Sequence, residues 1–469
     1  MSSSLSASSQ SLNCTSCSIT ESINVSSSTT DFQQTLILSI HLHLIRRLCK
    51  SSIVVNSDDS PPSIRFLTQK LHTFIQNIGY VSRHFLESSF SAIRILKTST
   101  DFFSIASLFG ANIESVFLHV TGYFDIDELL RYYNVVSGLK VRLSNHNYLK
   151  FLDQSSQFCF RNLKHLDVDV DSLILMDFME VLKYNCSITQ HDLWGNSLGD
   201  SGARVLSKVL TDNFSIRSIS LGYNSIGIEG ARALSETFHV NSTITVIDLG
   251  DNSIDVEGAM ALTDALKVNS SISKIDLWCN SIGDVGVVAL SEALKVNSAI
   301  TNINLCENSI NDVGVVALSE ALKVNSTITI INLCENSITD VGVVALSEAL
   351  KVNSTIVCID LQSNNFGHQG VDVLADALTV NCALSELYLG ANSIDNQGAI
   401  AWAQTLKINC SITRIIMYHN SIGNEGALRL VEALMVNTSI IELNLGWNPI
   451  DSETEKLITN ISNNRVKFS

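Results

Sequence analysis

An asparagine recurs at positions 196, 224, 252, 280, 308, 336, 364, 392, 420 and 448, ten times at an interval of 28 with no insertion. Around each stands I-x-x-I-x-L-x-x-N-x-I, as in "ITVIDLGDNSI", where Ile244, Ile247, Leu249, Asn252 and Ile254 carry the pattern. A second asparagine closes each unit, from Asn213 through Asn241 and Asn269 to Asn437. The fourteen residues "VGVVALSEALKVNS" occur three times unchanged, at 285–298, 313–326 and 341–354. A period this strict makes the chain an array of stacked units, because each unit buries its apolar side only against its neighbours.

Each unit reads as strand, loop, helix and turn. "VIDLGD" alternates apolar and polar residues with a strand's period of two. "VGVVALSEALKVN" is amphipathic: Val287, Leu290 and Leu294 share one face, and Ser291, Glu292 and Lys295 another. Asp284, Asp312 and Asp340 stand where a helix wants an N-cap acceptor. The closing asparagine stands at the helix end, where a left-handed residue is expected. A glycine every 28 residues, from Gly202 to Gly426, suits close approach of the helix start to its neighbour. The strand-end asparagine points inward and needs partners for its amide, which the backbone of the adjacent loops can supply.

The combination L-x-x-N-x-I followed by G-x-x-x-L-x-x-x-L resembles the ribonuclease-inhibitor class of leucine-rich repeats, over 187–469 at least. That class includes the repeat regions of NOD-like receptors and of the Ran GTPase-activating protein. The resemblance implies an α/β fold, a leucine-rich-repeat solenoid or horseshoe with a parallel inner β-sheet and outer α-helices. Strands about 4.8 Å apart and helices roughly 8–10 Å apart would bend the stack with the strands inside. Two departures stand out: the strand-end residue is always Asn here and often Cys in ribonuclease inhibitor, and the Gly-rich P-loop of a NOD-like receptor is missing.

Four segments follow. Residues 187–469 hold ten regular repeats and a C-terminal cap, where Thr454 replaces the glycine. Residues 90–186 read as degenerate repeats, with strand-like spacing at Ile113, Val116 and Leu118 and at Leu163, Leu166 and Val168. Residues 35–89 form a helical N-terminal segment. Residues 1–34 are a Ser/Thr-rich tail expected to be disordered. No basic n-region or apolar h-region opens the chain, and its most apolar stretch, 35–48, holds two His and two Arg. A cytoplasmic protein, or a nuclear one, is expected.

Residues 1–162 carry 13 Lys and Arg against 11 acids, and residues 163–469 carry 17 against 35. The repeat region should therefore repel nucleic acid and anionic membrane. No catalytic, cofactor or metal site is expected. "GNSLG" at 195–199 matches G-x-S-x-G, but it overlaps a framework asparagine and equivalent repeats lack the first glycine. Cys14 and Cys17 have no second ligand pair, and His41 and His43 suit ordinary packing. Cys306 and Cys334 occupy one site on neighbouring strands and are expected as free thiols, since in-register side chains point the same way.

What remains is the concave face. Between the framework positions stand Asp192, Asp248, Asp276, Asp360 and Tyr388, four before the asparagine, and Trp194, Tyr223, Trp278, Glu307, Glu335, Tyr418 and Trp447, two or one before it. Aromatic anchors among acids fit a non-catalytic scaffold that binds a protein partner with a basic surface. The alternative implied by the resemblance is a GTPase activator of the Ran type; Arg204, Arg217 and Arg232 are the arginines of the first regular repeats. Removing Asp276 is expected to change stability by less than about 0.5 kcal/mol, as for an ordinary surface site.

Overall fold

The computed structural model describes residues 188–468 and the backbone of three earlier strands, Val116–Val120, Gly138–Leu143 and His165–Asp169. All lie in the unit of residues 53–469. The readings for 1–34, 35–89 and the rest of 90–186, with Cys14, Cys17, His41 and His43, fall outside the described residues. Fourteen described strands form one open sheet in sequence order, every pairing parallel. From Gln190–Asp192 to Glu442–Asn444 the strands are three residues long and pair residue i with i+28, as in Ile219 with Ile247 with Ile275. Ten helices, from Gly199–Asp212 to Ser452–Ile461, lie between strands among the described residues. This is the solenoid the sequence implies.

One repeat shows why. From strand Lys274–Asp276 to the end of helix Gly283–Leu294, the side chains of Ile275, Leu277, Ile282, Val287, Leu290 and Leu294 are almost fully buried. Each such side chain contributes on the order of 1.5–3 kcal/mol, but only with a neighbour on both sides. Ser291 is an exception to the amphipathic reading. It is buried, and its Oγ donates to the Val287 carbonyl at 2.8 Å. A small residue that satisfies its own hydroxyl lets adjacent helices meet.

Three polar ladders cross the stack. The strand-end asparagine is the first. Asn308 Nδ2 donates to the Leu277 and Cys306 carbonyls at 2.8 and 2.9 Å, and its Oδ1 accepts from Asn280 N and Ile282 N, both at 3.2 Å. The closing asparagine is the second, and it is not left-handed: Asn241 has φ −77° and ψ 124°. It is a cross-link instead of a helix stop. Asn269 Nδ2 donates to the Phe238 and Asn241 carbonyls, and its Oδ1 accepts from Ser271 N and Ile272 N.

The third ladder corrects the N-cap reading. Asp284, Asp312 and Asp340 lie inside the first turns of their own helices, and each serves the next repeat. Asp284 Oδ1 accepts from Asn311 N and Gly314 N at 2.8 and 3.0 Å. The caps proper are Asn311 and Thr339. A Cβ at Gly314 would lie 2.8 Å from that Asp284 oxygen, so the glycine spacing is the imprint of this contact. At the end of the array Arg465 takes the closing-asparagine position, 28 after Asn437. Its guanidinium donates to the Asn437 and Leu434 carbonyls at 2.8 and 2.6 Å.

Candidate functional site

Helices cover one face of the sheet, and the other face carries the candidate residues. The four-before row is in register across the strands. Asp248 and Asp276 are direct neighbours, Ser220 separates Asp192 from them, and Asn304 and Asn332 separate them from Asp360, beyond which stands Tyr388. One oxygen of each aspartate is committed to the backbone two residues on. Asp192, Asp248, Asp276 and Asp360 accept from Trp194 N, Gly250 N, Trp278 N and Gln362 N at 2.9–3.1 Å. Asn304, Asn332 and Asn444 do the same with their amide oxygens. At these seven positions the row is therefore a set of Asx turns that tie down the strand's exit.

Asp276 is more tightly held than an ordinary surface site. Beyond the turn, its Oδ2 accepts from Asn304 Nδ2 at 3.1 Å, so the residue braces two repeats. Burial pushes the Asp276 and Asp360 carboxyls above the ordinary aspartate range. For Asp276 the hydrogen bonds from Asn304 and Trp278 oppose the rise; for Asp360 the bonds from Gln362 do. Two carboxylates that are costly to ionise are stabilised by a cation brought to them.

The two-before row holds the aromatics, and glycines make room for them. A Cβ at Gly222 would lie 2.8 Å from Trp194 Cδ1, one at Gly390 would lie 2.6 Å from Tyr418 Cε1, and one at Gly250 would overlap the Trp278 indole. Each ring lies against the glycine of an adjacent repeat. The one-before row is left-handed throughout: Tyr223 has φ 57°, Glu307 54°, Glu335 50° and Trp447 57°. Non-glycine residues adopt this region at a cost, which the asparagine ladder on either side enforces. Trp194 and Tyr223 stack at 5.2 Å between centroids with 17° between planes, and both are more than half exposed.

The predicted residues separate into groups. Asp192, Trp194, Tyr223, Asp248, Asp276 and Trp278 come together on consecutive repeats at the N-terminal end. Glu307 and Glu335 are exposed on the two turns that follow. Tyr388 belongs elsewhere: its hydroxyl donates to Glu386 Oε2 at 2.7 Å, and burial raises its pKa. Trp447, 79% exposed, stands on the last regular repeat. The six-before row was missed by the sequence reading. Arg414 there donates to Glu442 Oε2 at 3.0 Å and lies 3.6 Å from Glu386 Oε2, so the C-terminal end of the face has its own cation. The signal was present, since a strand's period of two puts six-before and four-before on one side.

Two further sequence features take definite structures. Cys306 and Cys334 are joined by a disulfide, with Cα atoms 4.6 Å apart. The in-register spacing of parallel strands falls inside the disulfide window, and this outweighs the parallel direction of the side chains. Ser197 of "GNSLG" is left-handed, but so are Ser225, Ser281 and Ser309 at the same place. The elbow-like match is repeat geometry. Arg232 is held between Glu229 and Glu257 on the outer helices. No described helix is long and apolar enough to cross a membrane.

The family model described as Leucine Rich repeat matches residues 212–235, 240–262, 268–291, 324–347 and 436–453. These five segments are leucine-rich repeats, and the same 28-residue register runs between them through strands Gln190–Asp192 to Glu442–Asn444. No curated protein matches it. Among solved structures, the actin-binding site 2 of leiomodin-1 is similar at 19% identity, covering 27% of this chain and 75% of that one, with a TM-score of 0.26. The tropomodulin C-terminal domain of Caenorhabditis elegans gives 18%, 33%, 93% and 0.28 for the same quantities. The Rad7 and Elc1 complex in yeast gives 12%, 92%, 96% and 0.46. Leucine-rich-repeat arrays present extended binding surfaces rather than enclosed pockets.

Proposed function

We propose that the chain is a non-catalytic interaction scaffold whose helix-free sheet face, concave in the expected horseshoe, binds a protein partner through basic side chains. The binding residues are Asp192, Trp194, Tyr223, Asp248, Asp276 and Trp278, with Glu307, Glu335 and Asp360 continuing the acidic track. Tyr388, Tyr418 and Trp447 are subsidiary contacts. The observation that carries this reading is the choice of Asp over Asn. The turn needs only an amide or carboxylate oxygen, and Asn304, Asn332 and Asn444 supply it without charge. At four positions the row nevertheless takes a charge, and at two of them burial makes that charge costly. A cationic partner offsets the cost, and rings already seated on glycine lose little freedom on binding.

The test separates charge from framework. Asp192→Asn, Asp248→Asn, Asp276→Asn and Asp360→Asn together keep every turn acceptor and remove four charges. Proteins captured from an extract by the parent chain are compared with those captured by this variant, by Trp278→Ala and by the outer-helix variant Glu292→Lys, at two salt concentrations. The expected partner is held more weakly at high salt, is lost with the first two variants and is retained by the third. A partner lost only with Glu292→Lys sits on the helices, and the proposal is then wrong.

A further inference from the structure

We propose that Cys306, Cys334 and Glu335 form a binding site for a soft divalent cation of the zinc class, open only when the two cysteines are reduced. The two sulfurs and a Glu335 carboxylate oxygen all lie within 4.8 Å of one another. Zinc holds sulfur at about 2.3 Å and carboxylate oxygen at about 2.0–2.2 Å, so tetrahedral ligand atoms stand roughly 3.5 Å apart. Once the disulfide is reduced, a small separation of the sulfurs brings all three atoms to that spacing. Two thiolates and a carboxylate make a three-ligand set with one open position, and the thiolates select a soft ion over calcium or magnesium.

The backbone under the site is rigid. Asn304 and Asn332 accept from the Cys306 and Cys334 amides at 3.0 and 2.9 Å. The Glu335 amide donates to the Gln362 carbonyl at 2.9 Å, holding the left-handed turn that returns its carboxylate toward the sulfurs. The equivalent positions of neighbouring repeats are Trp278 and Gln362, so the paired sulfurs are a property of these two repeats. Glu307 adds to the negative field. Cys279 stands outside the set: among the described residues, the ligand atoms that come together are those of Cys306, Cys334 and Glu335.

The full chain is reduced with a water-soluble phosphine, which takes the disulfide and water to phosphine oxide and two thiols. It is then desalted without air and titrated with cadmium, followed by the sulfur-to-metal charge-transfer band and by metal content after dialysis. Zinc competition reports the native class of ion. The parent is expected to bind one more equivalent than Cys306→Ser/Cys334→Ser. Glu335→Gln should keep the band and weaken binding about tenfold or more. Cys14→Ser/Cys17→Ser and Cys358→Ser should keep the extra equivalent. The oxidised chain should lack it. Circular dichroism confirms that each variant folds, and Cys306→Gln/Cys334→Gln, which copies Gln362, replaces the serine pair if it does not. Equal metal content in parent and double variant, or in reduced and oxidised parent, overturns the proposal. Reduced thiols that re-form the disulfide without taking up metal show a redox pair only, and overturn it equally.

Discussion

Replacing Asn308 with alanine tests whether the asparagine ladder holds the array together. The side chain is fully buried and makes four hydrogen bonds. Their loss is not symmetrical. The Leu277 carbonyl keeps a bond from Asn280 Nδ2 at 3.2 Å, and the Cys306 carbonyl keeps one from Cys279 N at 2.9 Å. The amides of Asn280 and Ile282 lose the oxygen that accepts from them. Two buried donors left without a partner cost about 1–3 kcal/mol each, so a loss of about 3 kcal/mol or more is expected even after relaxation. The site is mid-array, flanked by repeats on both sides, so the damage cannot be removed by fraying an end. Asn448→Ala is the internal control. Its Oδ1 accepts from Ile422 N at 3.0 Å, and one orphaned amide should cost about half as much. Urea titration of both variants measures the losses, and hydrogen exchange reports whether 280–282 loses protection. A loss below about 1 kcal/mol for Asn308→Ala, or unchanged exchange at 280–282, would refute the framework role.

Asp276→Ala should cost about 1–2 kcal/mol, since it removes the acceptor for Trp278 N and Asn304 Nδ2, whereas Asp276→Asn keeps the turn and should stay within about 1 kcal/mol of the parent. The pH dependence has a definite sign. Burial raises the folded carboxyls of Asp276 and Asp360, so their ionisation penalises the folded state progressively as pH rises through the folded pKa, and the penalty is absent below the unfolded value of about 3.9. The urea midpoint of Asp276→Asn/Asp360→Asn relative to the parent should therefore be higher at neutral pH than in acid. Gly250→Ala should displace the Trp278 indole, changing tryptophan fluorescence and weakening partner capture, with the remaining repeats intact by circular dichroism. Arg465→Ala should cost about 1–3 kcal/mol, seen as faster hydrogen exchange confined to the last repeat. Burial pushes the Cys358 thiol up to about 11, so mildly alkaline iodoacetamide should alkylate exposed Cys382 and Cys410 first, as read by peptide mass spectrometry.

The repeat made the fold legible because its period is a packing constraint. Ile275, Leu277, Leu290 and Leu294 recur every 28 residues because each must fit its own copy in the next layer, and the strand register follows from that identity. Polar positions were legible as recurrent but not as to partner. Asp284 suggested a cap for its own helix because capping is local, yet its oxygen serves Asn311 and Gly314 of the next repeat. A one-dimensional pattern records that a side chain is needed every 28 residues without saying whether the need lies in its own unit or the next. Arg465 was hidden for a related reason. It has a different chemistry from the asparagines it succeeds, and only its donation to the Asn437 and Leu434 carbonyls reveals the equivalence. The candidate face carries both difficulties. Its aspartates were read as free surface because the row varies between repeats, but where it varies from Asp to Asn the turn oxygen is kept and the charge is lost. On the proposed reading, framework and recognition share the same residue: its oxygens hold the turn and brace the neighbouring repeat, and its charge remains for a partner. The proposal therefore turns on the charge of that row and not on the side chain as a whole.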